Sequence, residues 1–513
     1  MISRRKALKT MGIGSLGAST AFGFSPFVLA QSQTPENPLQ IPPLEQGEVR
    51  DGARQFQLRL QQGTSEFFPG TSTPTIGING NYLGPTLRFH RNELVSLHVE
   101  NQLGEDSTLH WHGFHVPTAE DGGPHQVITH GSSWNPQFTV MQFAGTFWYH
   151  SHMLHTAGEQ VYKGLAGLII VEEDDQQLNL PSTYGVDDIP LVVQDRRFDD
   201  DGSLLYMSAY EDLVMGMHGD TILVNGTHQA FFEATSTLVR LRILNASNAR
   251  TFTFAFSDVR EFQQIASDGG LLENPVTLTT LELASAERAE IIVDLSDGRD
   301  VKLISIGKEP NFPEFPGAMS EIMRKLDAQD FDILSIRPQQ ELQASAELPE
   351  NLTSIYRLPE AAATNTREFL LAMGSGMRSG EDRGPGRGTR NGNGGGYGGG
   401  QFSINGRLMD MNYINERIIF NTTEIWELSN SSPMMHPFHI HNGQFQLLDR
   451  NGAPPPANEM GWKDTVKVGS GETVRIIMRF TDFTDDEASY MYHCHILEHE
   501  DRGMMGQFLV VRE

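Results

Sequence analysis

Apolar and polar residues alternate along most of the chain, in short runs set apart by turn residues. Val95-Ser96-Leu97-His98-Val99, Val239-Arg240-Leu241-Arg242-Ile243 and Thr473-Val474-Arg475-Ile476-Ile477 are representative. A period of two places successive apolar side chains on one face of an extended strand, and the Gly, Pro, Asn and Asp between runs mark turns. The pattern predicts an all-β chain built from β-sandwich domains.

The pattern also repeats at longer range. Asn79-Gly80, Asn225-Gly226 and Asn405-Gly406 each follow a short apolar strand, and each is followed by a strand that ends in asparagine, at Asn101, Asn245 and Asn430. Three copies of one sandwich is the economical reading. Domain one then covers 45–173 and domain two 174–338. A Glu- and Pro-rich linker over 339–366 leads to domain three, 367–513. Residues 374–400 form a Gly-rich, basic, apolar-poor insert, expected to be a mobile surface segment because it buries too little to offset its ordering entropy.

Composition narrows the partners. With 38% hydrophobic and 20% charged residues, a packed protein is expected. Asp and Glu outnumber Lys and Arg 65 to 38, a formal charge of −27 that repels phosphate and attracts cations, so no nucleic-acid partner is expected. The single cysteine, Cys494, excludes an intramolecular disulfide. The N-terminus has a basic stretch around Arg4-Arg5-Lys6, a mildly apolar Gly/Ala-rich stretch and small residues near Ala30, the layout of a secretory signal over 1–30. The paired arginines resemble a twin-arginine signal, with Ala7 in place of the usual Phe. Export by the twin-arginine machinery, a periplasmic location, no membrane span in the mature chain and a monomer are expected.

The candidate chemistry lies in the histidines. Four His-X-His pairs occur: His110-Trp111-His112, His150-Ser151-His152, His439-Ile440-His441 and His493-Cys494-His495. On a strand, residues i and i+2 share a face, so each pair can present two imidazoles to one metal cluster. A lone strand histidine is more often a core or surface residue, but four such pairs are not. Imidazole alone does not name the metal. Cys494 with His499, His436 and Met504 forms a His₂Cys set with an available thioether, the ligand set of a blue-copper centre.

These motifs, with the run from His493 to Met505, resemble those of the three-domain multicopper oxidases, and the resemblance covers about residues 45–513. It implies three cupredoxin-like Greek-key β-sandwich domains and four copper ions, with dioxygen as electron acceptor. By that resemblance His436, Cys494, His499 and Met504 hold a type 1 copper, and His110 and His439 a type 2 copper. His112, His150 and His495 hold one type 3 copper, and His152, His441 and His493 the other. Cys494 joins the two sites along the chain. Asp121 and Glu498 are candidate proton-relay acids, each with the alternative role of orienting a ligand histidine.

The donor divides the family. The signal, the size, the His499-Glu500-Asp501 run and the insert resemble the periplasmic cuprous oxidases of copper homeostasis. On that reading Glu500, Met434 and Met435 contact Cu(I) at the rim of the type 1 site. Two departures stand against it: the insert holds Met377 alone, and Ser432 occupies the position of an expected acid. A laccase-like oxidase of phenolic compounds is the competing reading. A copper-free structural protein of cell division with the same fold is a third, opposed by intact ligands at all the histidine and cysteine positions.

Overall fold

The computed structural model describes residues 36–173, 178–308, 325–326, 328–374 and 402–512. The expected signal over 1–30 lies outside the described residues, as does the Gly-rich insert apart from Gly374.

The described strands form six sheets, which fall into three pairs along the chain. In the first pair, Leu44–Glu45, Thr86–His90, Ala166–Glu172, Gly145–His150 and His110–His112 bond in that order, and the second sheet is built on Ala53–Ser65 and Leu94–Gln102. Alternate residues of both sheets, such as Phe56, Leu58, Leu97, Val99, Phe147 and Tyr149, make one core. The second pair joins a seven-stranded sheet centred on Leu238–Asn245 to a six-stranded sheet through Phe331–Gln343. The third joins a sheet centred on Thr422–Asn430 to one ordered Glu416–Ile419, Met505–Val511, Tyr490–Cys494, His436–Ile440 and Thr465–Val468. Neighbouring strands are often distant in sequence and partly parallel, giving three Greek-key sandwiches of cupredoxin type.

The repeated asparagines have the same task in each sandwich. Asn79, Asn225 and Asn405 all have positive φ, 57°, 52° and 53°, a conformation that asparagine tolerates in tight turns. Each accepts a backbone N–H at its side-chain oxygen, from Arg59, Val192 and Leu370. Each also donates to a carbonyl two residues earlier, at Gln57, Pro190 and Glu368. The strand-ending asparagines match as well. Asn101, Asn245 and Asn430 accept the N–H two residues on and donate to two carbonyls apiece. The repeat visible in the sequence is therefore a repeat of hydrogen-bonded corners.

The sandwiches are also tied to one another. Near the N-terminus, Asn37–Pro38 pairs with Ala230–Ser236 of the second sandwich, while Leu44–Glu45 pairs with Thr86–His90 of the first. Among the described residues no helix is long and apolar enough to cross a membrane.

Candidate metal centre

Strand register brings the histidines together. His110–His112 pairs with Gly145–His150 so that His110 lies opposite His150. In the third sandwich, His436–Ile440 pairs with Tyr490–Cys494, Phe438 opposite Cys494 and His439 opposite His493. Phe438 and Cys494 face the core of that sandwich. His439 and His493 point the other way, because successive strand residues face opposite sides. With His441 and His495 they meet the histidines of the first sandwich.

Two groups result. On the core side, His436 Nδ1 lies 3.3 Å and His499 Nδ1 3.8 Å from Cys494 Sγ. Their outer nitrogens are anchored, His436 Nε2 2.7 Å from Ser432 Oγ and His499 Nε2 donating to the Val214 carbonyl at 3.0 Å. Phe402 stacks on His499 at 3.8 Å. Met504 is buried in the same core; its N–H donates to the His499 carbonyl and its carbonyl accepts from Cys494 N–H.

On the other side lie eight imidazoles. The Nε2 atoms of His152, His441 and His493 converge at 3.1–3.3 Å from one another. His112, His150 and His495 form a second set of three, and His110 and His439 complete the cluster beside His112. His110 and His439 donate Nδ1–H to the carbonyls of Asp121 and Asp464, each at 2.8 Å.

These residues fit a bound metal. The Nε2 atoms of His110 and His439 and both ring nitrogens of His495 are buried without a hydrogen-bond partner, and such orphans call for an explanation. Burial holds His110, His112, His150, His439, His441, His495 and His499 well below the usual imidazole value, His152 at about 4 and His436 at about 3. Neutral imidazoles with lone pairs converging on one point are a cation cradle. Burial pushes the Cys494 thiol well above its ordinary value, so a soft cation is needed to hold it as thiolate. Nitrogen with a thiolate and a thioether is a donor set for copper.

The acids are arranged differently from the sequence reading. Asp121 lies at the cluster: Oδ2 accepts from His441 Nδ1 at 2.7 Å, Oδ1 makes no hydrogen bond and lies 3.5 Å from His110 Nδ1, and burial raises its carboxyl well above the usual range. Gly122 permits this approach, since at φ 74° a Cβ there would lie 1.9 Å from the Leu109 carbonyl oxygen.

Glu498 does not lie at the cluster. Its carboxylate accepts from Met217 N–H, Asn248 Nδ2 and Tyr206 OH, all in the second sandwich. Glu500, expected at an exposed rim, is buried instead, 3.2 Å from His152 Nδ1 and 3.1 Å from His493 Nδ1. The two acids sit on the short helix Leu497–Asp501, where two positions correspond to about 200° of rotation, so they face opposite ways. Burial raises the Glu500 carboxyl, but the facing His152 and His493 outweigh it and leave the group below the ordinary range.

Met434 is buried and Met435 half-buried, and both line a cavity of about 650 Å³ between the second and third sandwiches, with Met215, Phe331 and Ile496. His155, exposed after the second histidine motif, donates to the Asp501 carbonyl and joins neither group. No sequence motif marks Asp464, which accepts from His112 Nε2 at 3.1 Å.

The chain is similar to known proteins over most of its length. A family model described as multicopper oxidase matches residues 59–176, and a second so described matches 385–513. A multicopper oxidase, mco, from Staphylococcus haemolyticus is 34% identical over 90% of this chain and 89% of that protein. The cell division protein FtsP of Edwardsiella tarda is also 34% identical, over 99% of each chain. Among solved structures, the laccase-like multicopper oxidase CueO from Ochrobactrum sp., which has oxidase activity towards lignin model compounds, superposes with a TM-score of 0.80. It is 33% identical, with 92% of this chain and 100% of that one covered.

Proposed function

As the chain belongs to the multicopper oxidase family, we propose that it oxidises a small donor one electron at a time beside Cys494 and reduces dioxygen to water at the histidine cluster. His436, Cys494, His499 and Met504 hold a type 1 copper. His110 and His439 hold a type 2 copper, and the sets His112, His150, His495 and His152, His441, His493 hold a type 3 pair. When bound, the four copper ions supply the one-electron oxidation and the four-electron reduction.

The observation that supports this reading most strongly is the position of Cys494. Its side chain lies in the core-side set, while its chain neighbours His493 and His495 belong to the two triads on the far side. One three-residue segment thus joins both sites covalently.

The surrounding residues have definite tasks. Asp121 anchors His441 through Oδ2, and its Oδ1, which makes no hydrogen bond, is placed to carry a proton. Glu500 lies between His152 and His493 and is the second carboxylate placed to relay protons. Burial of every ligand keeps bulk water from the cluster.

The cavity beside the type 1 set is the donor site. Its volume and its apolar wall of Met215, Phe331, Met434, Met435 and Ile496 suit an aromatic, phenolic donor. The three thioethers in the same wall favour a second reading, Cu(I) oxidation, because thioethers are soft ligands. The arginine-paired N-terminus supports twin-arginine export to the periplasm, with the chain working there as a monomer in laccase-like oxidation or copper homeostasis.

Oxygen uptake by the copper-loaded protein tests this, with a dimethoxyphenol and weakly chelated Cu(I) as donors, each with and without added Cu(II). Phenol turnover independent of added copper supports the first reading. Rapid Cu(I) turnover, with phenol oxidation dependent on added copper, supports the second. A colourless protein that takes up neither copper nor oxygen overturns both and points to the role of the FtsP relatives.

A further inference from the structure

The second sandwich contributes no histidine to the cluster, yet one of its side chains reaches it. Arg288 is fully buried and every guanidinium N–H has a partner. Nη1 donates to Asp464 Oδ1 at 2.7 Å and Nη2 to Asp464 Oδ2 at 2.5 Å, a two-pronged pairing. The remaining bonds go to the carbonyls of Ala286 and Asp268 in its own sandwich and of Thr146 in the first. A single arginine therefore touches all three sandwiches.

Asp464 passes this geometry on. Its Oδ1 accepts from His112 Nε2 at 3.1 Å and from Thr465 Oγ1 at 2.9 Å, while its backbone carbonyl accepts from His439 Nδ1 at 2.8 Å. The two rings come from different sandwiches and stack at 3.6 Å with 15° between planes. These bonds decide which nitrogen each ring offers: Nδ1 for His112 and Nε2 for His439. The bare backbone of Gly113 makes room, since a Cβ there would lie 2.4 Å from Asp464 Oδ2 and 3.2 Å from Arg288 Nη2. A buried ion pair is weak evidence of a stabilising role, so its use has to be sought in what it orients.

We propose that Arg288 is a positioning residue for the trinuclear site, fixing the His112 and His439 rings through Asp464; this rests on the ligand reading above. The fork matters as well as the charge, because lysine cannot pair with both carboxylate oxygens in one plane.

The test compares copper-loaded wild type with R288K, R288Q and D464N. The readouts are copper content, the type 2 paramagnetic signal, its resistance to a chelator and the blue type 1 absorption. All three variants are expected to stay blue while losing type 2 copper at chelator concentrations about 10–100-fold lower, the range for partners behind a ligand. D464N probes the same link from the other end should Arg288 prove necessary for folding. Unchanged chelator resistance in all three overturns the proposal. Loss of the blue band in step with the type 2 signal makes Arg288 a general fold residue and does the same, and a lysine variant that matches wild type removes the fork. A wild type without type 2 copper brings down the ligand reading, and this inference with it.

Discussion

Two glutamates set one residue apart on the helix Leu497–Asp501 separate binding from holding. Glu500 faces the imidazoles of His152 and His493, while Glu498 ties that helix to Met217, Asn248 and Tyr206. Glu500→Gln should slow oxygen uptake by about 100-fold or more while the blue colour persists, the range for losing a positioned proton-transfer group. Glu498→Gln should leave turnover near wild type and lower unfolding stability by about 1–3 kcal/mol, read by thermal or denaturant unfolding, because a buried hydrogen-bond set is disturbed. Reversed results would exchange the two roles. At Cys494 the expectation is sharper: Cys494→Ser should lose both the blue absorption and turnover while the type 2 signal survives, since the histidines on the far face keep their own anchors. Turnover that survives the substitution would show that the two sites are not joined through this residue.

At the scale of elements, the corner asparagines carry stability that no core count records. Asn245 donates to the buried carbonyls of Arg250 and Leu283 in the sandwich that holds no ligand. Asn245→Ala should cost about 1–3 kcal/mol for each group left unpaired, measured by denaturant unfolding of the copper-loaded protein, with the visible spectrum unchanged. Asn101→Ala and Asn430→Ala should behave alike; a much smaller loss at one site would mean that its corner is not equivalent. Much of the fold was legible in this way. The alternating runs became strands, and asparagines that were only repeated words in the sequence proved to be repeated corners. The helix Leu497–Asp501 was not legible, because five residues are too few for a periodicity; without its phase Glu498 was expected at the cluster and Glu500 at the rim of the type 1 site, whereas Glu500 lies at the cluster and Glu498 against the second sandwich.

For the molecule as a whole, the first and second sandwiches meet through a buried network. Arg242 bonds Asp188, Glu290 and Thr146, and Arg240 pairs with Glu290. Burial pushes the Glu290 carboxyl up, but Arg240 and Arg242 outweigh it and bring it down to about 2 from an ordinary 4.5. A depressed carboxyl contributes stability above its unfolded value and loses it as pH falls through the folded one, so roughly 3 kcal/mol should disappear between pH 4.5 and 2. Unfolding midpoints across that window should fall for wild type and change less for Glu290→Gln, which should already be weaker at neutral pH. A parallel slope in both proteins would assign the acid sensitivity elsewhere. Such links, like those of Arg288 and Asp464, carry no motif, since they arise only when segments 48 to 352 residues apart meet. The histidine pairs were legible because strand alternation is local.

That same separation sets a clock on biosynthesis. His110, His112, His150 and His152 leave the ribosome long before His436 to His499. At roughly 5–20 residues per second, the interval from His152 to His499 is about 20–70 s. For that time the nascent first sandwich presents one two-nitrogen half-site, His112 with His150, and two single imidazoles, His110 and His152, so on the ligand reading above metal loading has to wait for the last tenth of the chain.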